Sequence, residues 1–159
     1  MSCHGDEWQI IPSLKISDAL FIRRNHLYPK LIINQANAYT TETMHRVNIK
    51  KNVNQNAFIA SYYNSLSFAF AEISGRSHGG GVLELMPSEV ENIFLPYHES
   101  NEELIGSIDE MIRANESVDT ILEITNKKIL IDNYGFSKQD VEIADRIWKK
   151  LSNRRLNRN

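Results

Sequence analysis

Asn56-Ala57-Phe58-Ile59-Ala60-Ser61-Tyr62-Tyr63-Asn64-Ser65-Leu66-Ser67-Phe68-Ala69-Phe70-Ala71-Glu72-Ile73-Ser74 is the stretch that decides the fold. Ile59, Tyr62, Tyr63, Leu66, Phe70 and Ile73 recur at three- and four-residue steps, which predicts one helix with a broad apolar face. Gly75-Arg76-Ser77-His78-Gly79-Gly80-Gly81 ends it, since four glycines in seven residues do not continue a helix cheaply. Val82-Leu83-Glu84-Leu85 resumes as a strand. The aromatic side chains Tyr62, Tyr63, Phe68 and Phe70 fall at helical spacing, which points to core packing rather than base stacking.

Upstream of this helix the pattern is that of strands and loops. Leu20-Phe21-Ile22 and Leu31-Ile32-Ile33 are short apolar runs, separated by Arg23, Arg24 and Pro29. Asn34 to Thr43 is polar and reads as an irregular loop, and His45-Arg46-Val47-Asn48-Ile49-Lys50 alternates as a half-buried strand does. Downstream, Pro87 to Ile93 reads as a short helix with proline near its start. Ser100-Asn101-Glu102-Glu103 has the form of a capping box opening a helix to about Asn115, and another helix is predicted from Val118 to Asp132. Tyr134-Gly135-Phe136 breaks it, and Ser137 with Asp140 caps a last helix. There Ala144, Ile147, Trp148 and Leu151 form an apolar stripe, with Arg146, Lys149, Lys150 and Arg154 opposite. The expected fold class is therefore α+β: a β-rich N-terminal part packed on a central helix, then a helical C-terminal part. Residues 1–97 form the expected core and 98–159 a helical subdomain docked on it.

At 159 residues, 42% hydrophobic and 24% charged, the chain has the composition of a folded protein rather than a disordered one. No apolar run approaches the roughly 18 residues of a transmembrane helix. Met1-Ser2-Cys3-His4-Gly5-Asp6 has neither a basic nor an apolar signal-peptide region, so a cytoplasmic location without membrane attachment is expected. Cys3, the single cysteine, forms no internal disulfide. The net charge of -2 conceals a strong asymmetry. Residues 1–51 carry +3, residues 52–97 carry -3, residues 98–145 carry -8, and the last fourteen carry +6 with no acid among them.

Several chemistries lack their residues. There is no Gly-x-Gly-x-x-Gly, no Lys-Ser or Lys-Thr after the glycine run, and no Gly-x-Ser-x-Gly. His4, His26, His45, His78 and His98 show no zinc spacing, and no lysine has an acid two residues before it as restriction nucleases require. No cofactor or metal site is expected in this chain, and an autonomous enzyme is not the expected reading.

Tyr63-Asn64-Ser65-Leu66, then Ala71-Glu72-Ile73-Ser74-Gly75-Arg76-Ser77-His78-Gly79-Gly80-Gly81-Val82-Leu83-Glu84-Leu85, then Pro87-Ser88-Glu89-Val90 and Leu95-Pro96, resemble the C-terminal region of bacterial N6-adenine DNA methyltransferases of restriction–modification systems. Pro29 to Asn34 and Thr40 to Val47 are similar to the same family's recognition segment, and Trp148-Lys149-Lys150-Leu151 with Arg154-Arg155-Leu156 is similar to its basic end. The resemblance implies a DNA-recognition part that lies after a catalytic domain. Those enzymes bind S-adenosylmethionine through a Gly-rich strand–turn–helix and hold the target adenine with Asn/Asp-Pro-Pro-Tyr/Phe. Here Pro12, Pro29, Pro87 and Pro96 are isolated, so that motif is absent. The chain is accordingly expected to be a target-recognition fragment or split-gene subunit, inactive alone, whose partners are double-stranded DNA and a catalytic part elsewhere that carries S-adenosylmethionine.

Two sets of DNA-contacting residues follow from that resemblance. One is Arg23, Arg24, Lys30, Asn34, Tyr39, Thr41, His45, Arg46 and Lys50, in which cations neutralise phosphates and Asn or Arg pairs with base edges. The other is Arg76, Ser77, His78, Gly79 and Gly80 in the glycine loop, where backbone N–H groups approach phosphate closely. The bland alternative for the loop is a helix-to-strand turn needing positive φ, with Arg76 simply solvated; a separate alternative buries Arg76 beside Glu72 as a structural ion pair. The alternative for the whole chain is a helical interaction module or specificity subunit that docks a partner catalytic subunit and touches DNA little.

Overall fold

The computed structural model describes residues 15–157. The expectations for Met1–Asp6, including Cys3 and His4, and for Pro12 lie outside the described residues. The fold is α+β: two small antiparallel sheets in the N-terminal half, then helices. Among the described residues no helix is long and apolar enough to cross a membrane.

Strand β1 (Ala19–Ile22) pairs antiparallel with both β3 (Leu31–Ile33) and β4 (Met44–Val47), so it is the centre of the first sheet. Its apolar run fits that place, because Ala19, Leu20 and Phe21 are all buried. Arg23 then switches the chain between sheets: its N–H donates to Thr43 O, and its carbonyl accepts from Leu85 N. Strand β2 (Arg24–Asn25) pairs with β6 (Val82–Glu84), which also pairs with β5 (Arg76–His78). Buried Asn25 closes the bend by donating to Ile22 O and accepting from Lys30 N.

The single helix expected over 56–74 is two helices, α1 (Gln55–Tyr62) and α2 (Ser65–Ser74). The break comes from Asn64, which is fully buried and extended, with φ -152° and ψ 159°. Its Oδ1 accepts from Ser67 N at 2.9 Å, and its Nδ2 donates to Ser61 O and Ser67 Oγ at 2.7 and 2.9 Å. A side chain that satisfies backbone groups locally competes with helix continuation, and here it makes an N-cap instead. Tyr62, Tyr63 and Phe68 enter the core as expected, in edge-on contacts that continue to Phe21 and Trp148. Phe70 departs from that pattern, lying 37% exposed against Phe94.

Helix α3 (Pro87–Val90) follows β6. The capping box expected at Ser100–Glu103 is not used. His98 instead caps a 3-10 turn over Glu99–Leu104, and α4 (Ile105–Arg113) begins after it. Asn101 explains the change, because it is fully buried and donates to Ser61 Oγ while accepting from Asn133. Helix α5 (Val118–Asn126) runs into a π-helical stretch, Lys127–Asn133, and Gly135 breaks the chain at φ 70°. Ser137 and Asp140 form the expected capping box of α6 (Lys138–Leu156).

Helix α6 packs along α2 and reaches β6 and the glycine turn. Ala144 and Trp148 face the core, whereas Ile147 is 40% exposed, and Ser152 and Arg155 take the buried positions beyond. One hydrophobic cluster gathers Phe21, Tyr62 and Phe68 together with Ile108, Ile121 and Trp148. Each such large side chain contributes roughly 1.5–3 kcal/mol by leaving water.

Candidate nucleic-acid interface

The register of the second sheet sets Arg24 opposite Glu84 and Glu84 opposite Arg76, one row across three strands. Cross-strand partners put their side chains on one face, so this row is an ion-pair row by construction. The neighbouring row, Asn25, Leu83 and Ser77, belongs to the other face, where Leu83 enters the core.

Glu84 sits at the centre with its side chain 8% exposed. It accepts from Arg23 Nη2 and Arg24 Nε, each at 3.0 Å, on one oxygen and from His78 Nε2 at 2.6 Å on the other. The hydrogen bond from Arg24 holds the carboxyl below its ordinary range against the opposing desolvation, with His78 and Arg23 adding to the lowering. Next to it, Arg76 Nε donates to Glu89 at 2.8 Å. Glu89 is lowered first by the Met86 N–H, which donates to its other oxygen, and further by Arg76.

The exposures decide what this cluster presents to solvent. Arg24, Arg76 and His78 are 68%, 65% and 53% exposed, while Glu84 and Glu89 are almost covered. Both outer arginines are held through Nε. Among the described residues their terminal nitrogens have no hydrogen-bond partner, and both side chains are largely exposed. A guanidinium so held has lost part of its rotamer freedom already, which lowers the cost of binding a phosphate or a base edge bidentately.

The glycine segment is not the continuous loop expected from sequence. Arg76–His78 is a strand, and Gly79–Gly81 is a 3-10 turn joining it to β6. Gly75 does not need positive φ; a Cβ there would lie 2.7 Å from Leu83 Cδ1 and 3.0 and 3.1 Å from the backbone oxygens of Ala71 and Glu84, so a side chain fits only if its neighbours shift. Positive φ falls on Gly80 and Gly81, at 71° and 72°. Gly79 and Gly80 stand open, whereas Gly81 lies against Leu156 and His26. Arg76 does not pair with Glu72 either. Glu72 is held by Arg155, whose guanidinium also donates to His26 O and Gly81 O.

The remaining expected contacts separate by environment. Asn34 is buried and its amide is consumed by Ser17 O, Ala38 O and Ala38 N, so it staples its own loop rather than facing solvent. His45 is half-buried and its Nε2 meets Leu85 O at 2.6 Å, tying the two sheets together. Lys30 lies 5.0 Å over the Tyr28 ring. Tyr39 is exposed, and Thr41 shares a hydrogen bond with Thr43. Arg46 on β4 and Lys50 after it are exposed and form no ion pair among the described residues. Arg23, Arg24, Arg76 and His78 are thus the members that the fold gathers around Glu84 and Glu89, with Gly79 and Gly80 in the adjoining turn, while Ser77 faces the other side of the sheet. Glu84, which organises them, was missed, although a lone acid in the apolar strand Val82–Leu85 was its visible signal.

Clefts elsewhere have another character. One of about 730 Å³ runs between α5 and α6, with Asp119, Glu123, Glu142 and Asp145 against three lysines. Among the described residues no three His, Cys, Asp or Glu side chains gather as metal ligands would. The family model described as type II methyltransferase M.Eco57I, C-terminal domain, matches residues 4–130. No curated protein and no solved structure matches the chain.

Proposed function

The chain belongs to the family of the C-terminal domain of type II methyltransferase M.Eco57I, and on that premise we propose that it is the target-recognition part of an adenine-N6-specific DNA methyltransferase of a restriction–modification system. Membership implies an N-terminal catalytic part in the parent enzyme. In this reading the present chain holds the duplex, and the catalytic part flips the adenine and methylates it with S-adenosylmethionine. The cofactor does not fit the glycines here, because Gly79–Gly81 joins two strands and opens no helix at which its charged groups would be held. No step of methyl transfer is assigned to these residues.

The observation that carries the reading is the pair of outward arginines, Arg24 and Arg76, each fixed through Nε by a covered glutamate. Phosphate contacts position a protein on the duplex, and pre-held arginines supply them at low entropic cost. The test is fluorescence anisotropy of a labelled duplex with wild type and with Arg24→Gln/Arg76→Gln. The double variant is expected to bind several-fold more weakly while still unfolding cooperatively, because Arg23 and His78 keep Glu84 paired and the Met86 N–H keeps Glu89 bonded. Equal affinity in the two proteins would contradict the proposal.

A docking role for the chain is favoured by a separate observation: Phe70, Ile73 and Phe94 are exposed, two of them in ring contact. Isolated exposed apolar residues are ordinary, but grouped ones mark interfaces. Loss of docking to a catalytic part in Phe70→Ser/Ile73→Ser, with duplex affinity unchanged in Arg24→Gln/Arg76→Gln, would favour docking as the sole function.

A further inference from the structure

Six cations and no acid occupy the last fourteen residues, and the structure sorts those it describes into three fates. Arg155 is buried on Glu72. Lys149 is spent on Asp119 and Asp145, at 3.0 and 2.9 Å. Arg146, Lys150 and Arg154 are exposed, and among the described residues none of them has an ion-pair partner. Their four-residue spacing stacks them on one face of α6, roughly 6 Å apart along the axis. The acidic middle of the chain is therefore not their counterion; where it meets α6, Lys149 answers it.

A helix C-terminus favours cations, but that effect falls off within the last turn. It accounts for Arg154 and not for Lys150 or Arg146, which lie about one and two turns earlier. The position of the stripe is also fixed. Arg155 bonds at once to α2 through Glu72, to the segment after β2 through His26 O, and to the glycine turn through Gly81 O. That bond set brings Arg154 to the border of a small cleft it shares with Ser77 of β5. Ser77 is on the face of the hairpin opposite to Arg24, Glu84 and Arg76. Cations thus flank the β5 edge on both sides: Arg24, Arg76 and His78 on one, Arg154 and the stripe behind it on the other.

We infer that Arg146, Lys150 and Arg154 form a second phosphate-binding segment, which engages the DNA backbone on the far side of the β5–β6 hairpin from Arg24 and Arg76. The inference rests on the DNA-binding reading above and adds a separate helix to it. Duplex DNA offers a phosphate backbone on each side of a groove, so cations on the two faces of the sheet's β5 edge can each meet one of them.

The experiment is a salt titration of duplex binding by the full chain, comparing wild type, Lys150→Gln/Arg154→Gln and Arg24→Gln/Arg76→Gln. Each lost phosphate contact lowers the slope of log K against log salt by about 0.9, so each double variant is expected to be shallower by about 1.8. Thermal melts control for folding, and the exposed Lys150 and Arg154 are expected to leave the melting temperature unchanged. A wild-type slope in Lys150→Gln/Arg154→Gln overturns the second segment, whatever the other variant does. A wild-type chain that does not bind duplex at low salt overturns the DNA reading beneath it. A reduced slope only in Arg24→Gln/Arg76→Gln leaves that reading standing without α6.

Discussion

Replacing Arg155 with methionine gives the sharpest energetic test of how this molecule is assembled. The Arg155 and Glu72 side chains are 2% and 3% exposed, so neither has water as an alternative partner. Nη2 and Nε donate to the two Glu72 oxygens at 2.6 and 3.1 Å, and Nη1 serves His26 O and Gly81 O. Methionine keeps much of the volume and removes every one of these donors. What remains is a covered carboxylate without a cation, a situation that costs roughly 3–5 kcal/mol. Two carbonyls also lose a donor, adding about 1–3 kcal/mol where water does not reach them. Against a total stability of roughly 5–15 kcal/mol, Arg155→Met removes a large fraction of it. Urea unfolding followed by tryptophan fluorescence reads the change, and Trp148 in α6 is a buried reporter. The double variant Arg155→Met/Glu72→Met removes the orphaned charge and is expected to recover most of the loss, leaving the carbonyl term. A loss below about 1 kcal/mol for the single variant, or no recovery in the double, refutes the assignment of Glu72–Arg155 as the lock of α6.

Other substitutions separate the sources of order. Asn64→Ala removes the cap of α2 and strands buried groups on Ser61 and Ser67, so a loss of about 1–3 kcal/mol is expected in urea melts. Gly75→Ala places a Cβ 2.7 Å from Leu83 Cδ1 and is expected to lower stability by about 1–3 kcal/mol, whereas Gly79→Ala meets nothing within 4 Å and is expected to be near neutral. Equal effects of the two would contradict the packing reason given for Gly75. The lowered pKa of Glu84 carries a definite sign with pH. Its contribution is fully present above the ordinary carboxylate value of 4.5 and is lost as pH falls through the lower folded value. Glu84→Gln should accordingly flatten the acid side of a melting temperature–pH profile; a parallel profile would show that Glu84 is not held by its arginines.

How much of this was legible follows the range of the interactions. The apolar runs of β1 and β3, the spacing of Ile59 and Tyr62 in α1, and the Ser137–Asp140 box are written within a few residues, and each appears where the pattern puts it. Asn64-Ser65 also carried a local signal, since Asn is a preferred N-cap, but the apolar period runs through it unbroken. A tertiary contact reinforces the break: Ser65 N donates to Asn126, sixty-one residues away, so the helix start at Ser65 also gains a partner that no local pattern shows. The same holds at Ser100–Glu103, where Asn101 is claimed by Ser61 and Asn133.

The site shows the same division. Exposed arginines are visible in any sequence, yet nothing local tells Arg155, buried on Glu72, from Arg154 beside it. Their fates differ because consecutive helical residues point about 100° apart, and only one of them faces α2. Asn34 and His45 had the residue types of base and phosphate contacts, but the fold spends both on its own backbone. Sequence supplied the cations; the register of three short strands selected which of them are held outward.

The salt dependence of duplex DNA binding by this chain tests the central claim most directly. The account predicts that log K falls linearly with log salt, and that Arg24→Gln/Arg76→Gln makes the line shallower by about 1.8. A chain whose binding is indifferent to salt, or a double variant with the wild-type slope, would contradict it.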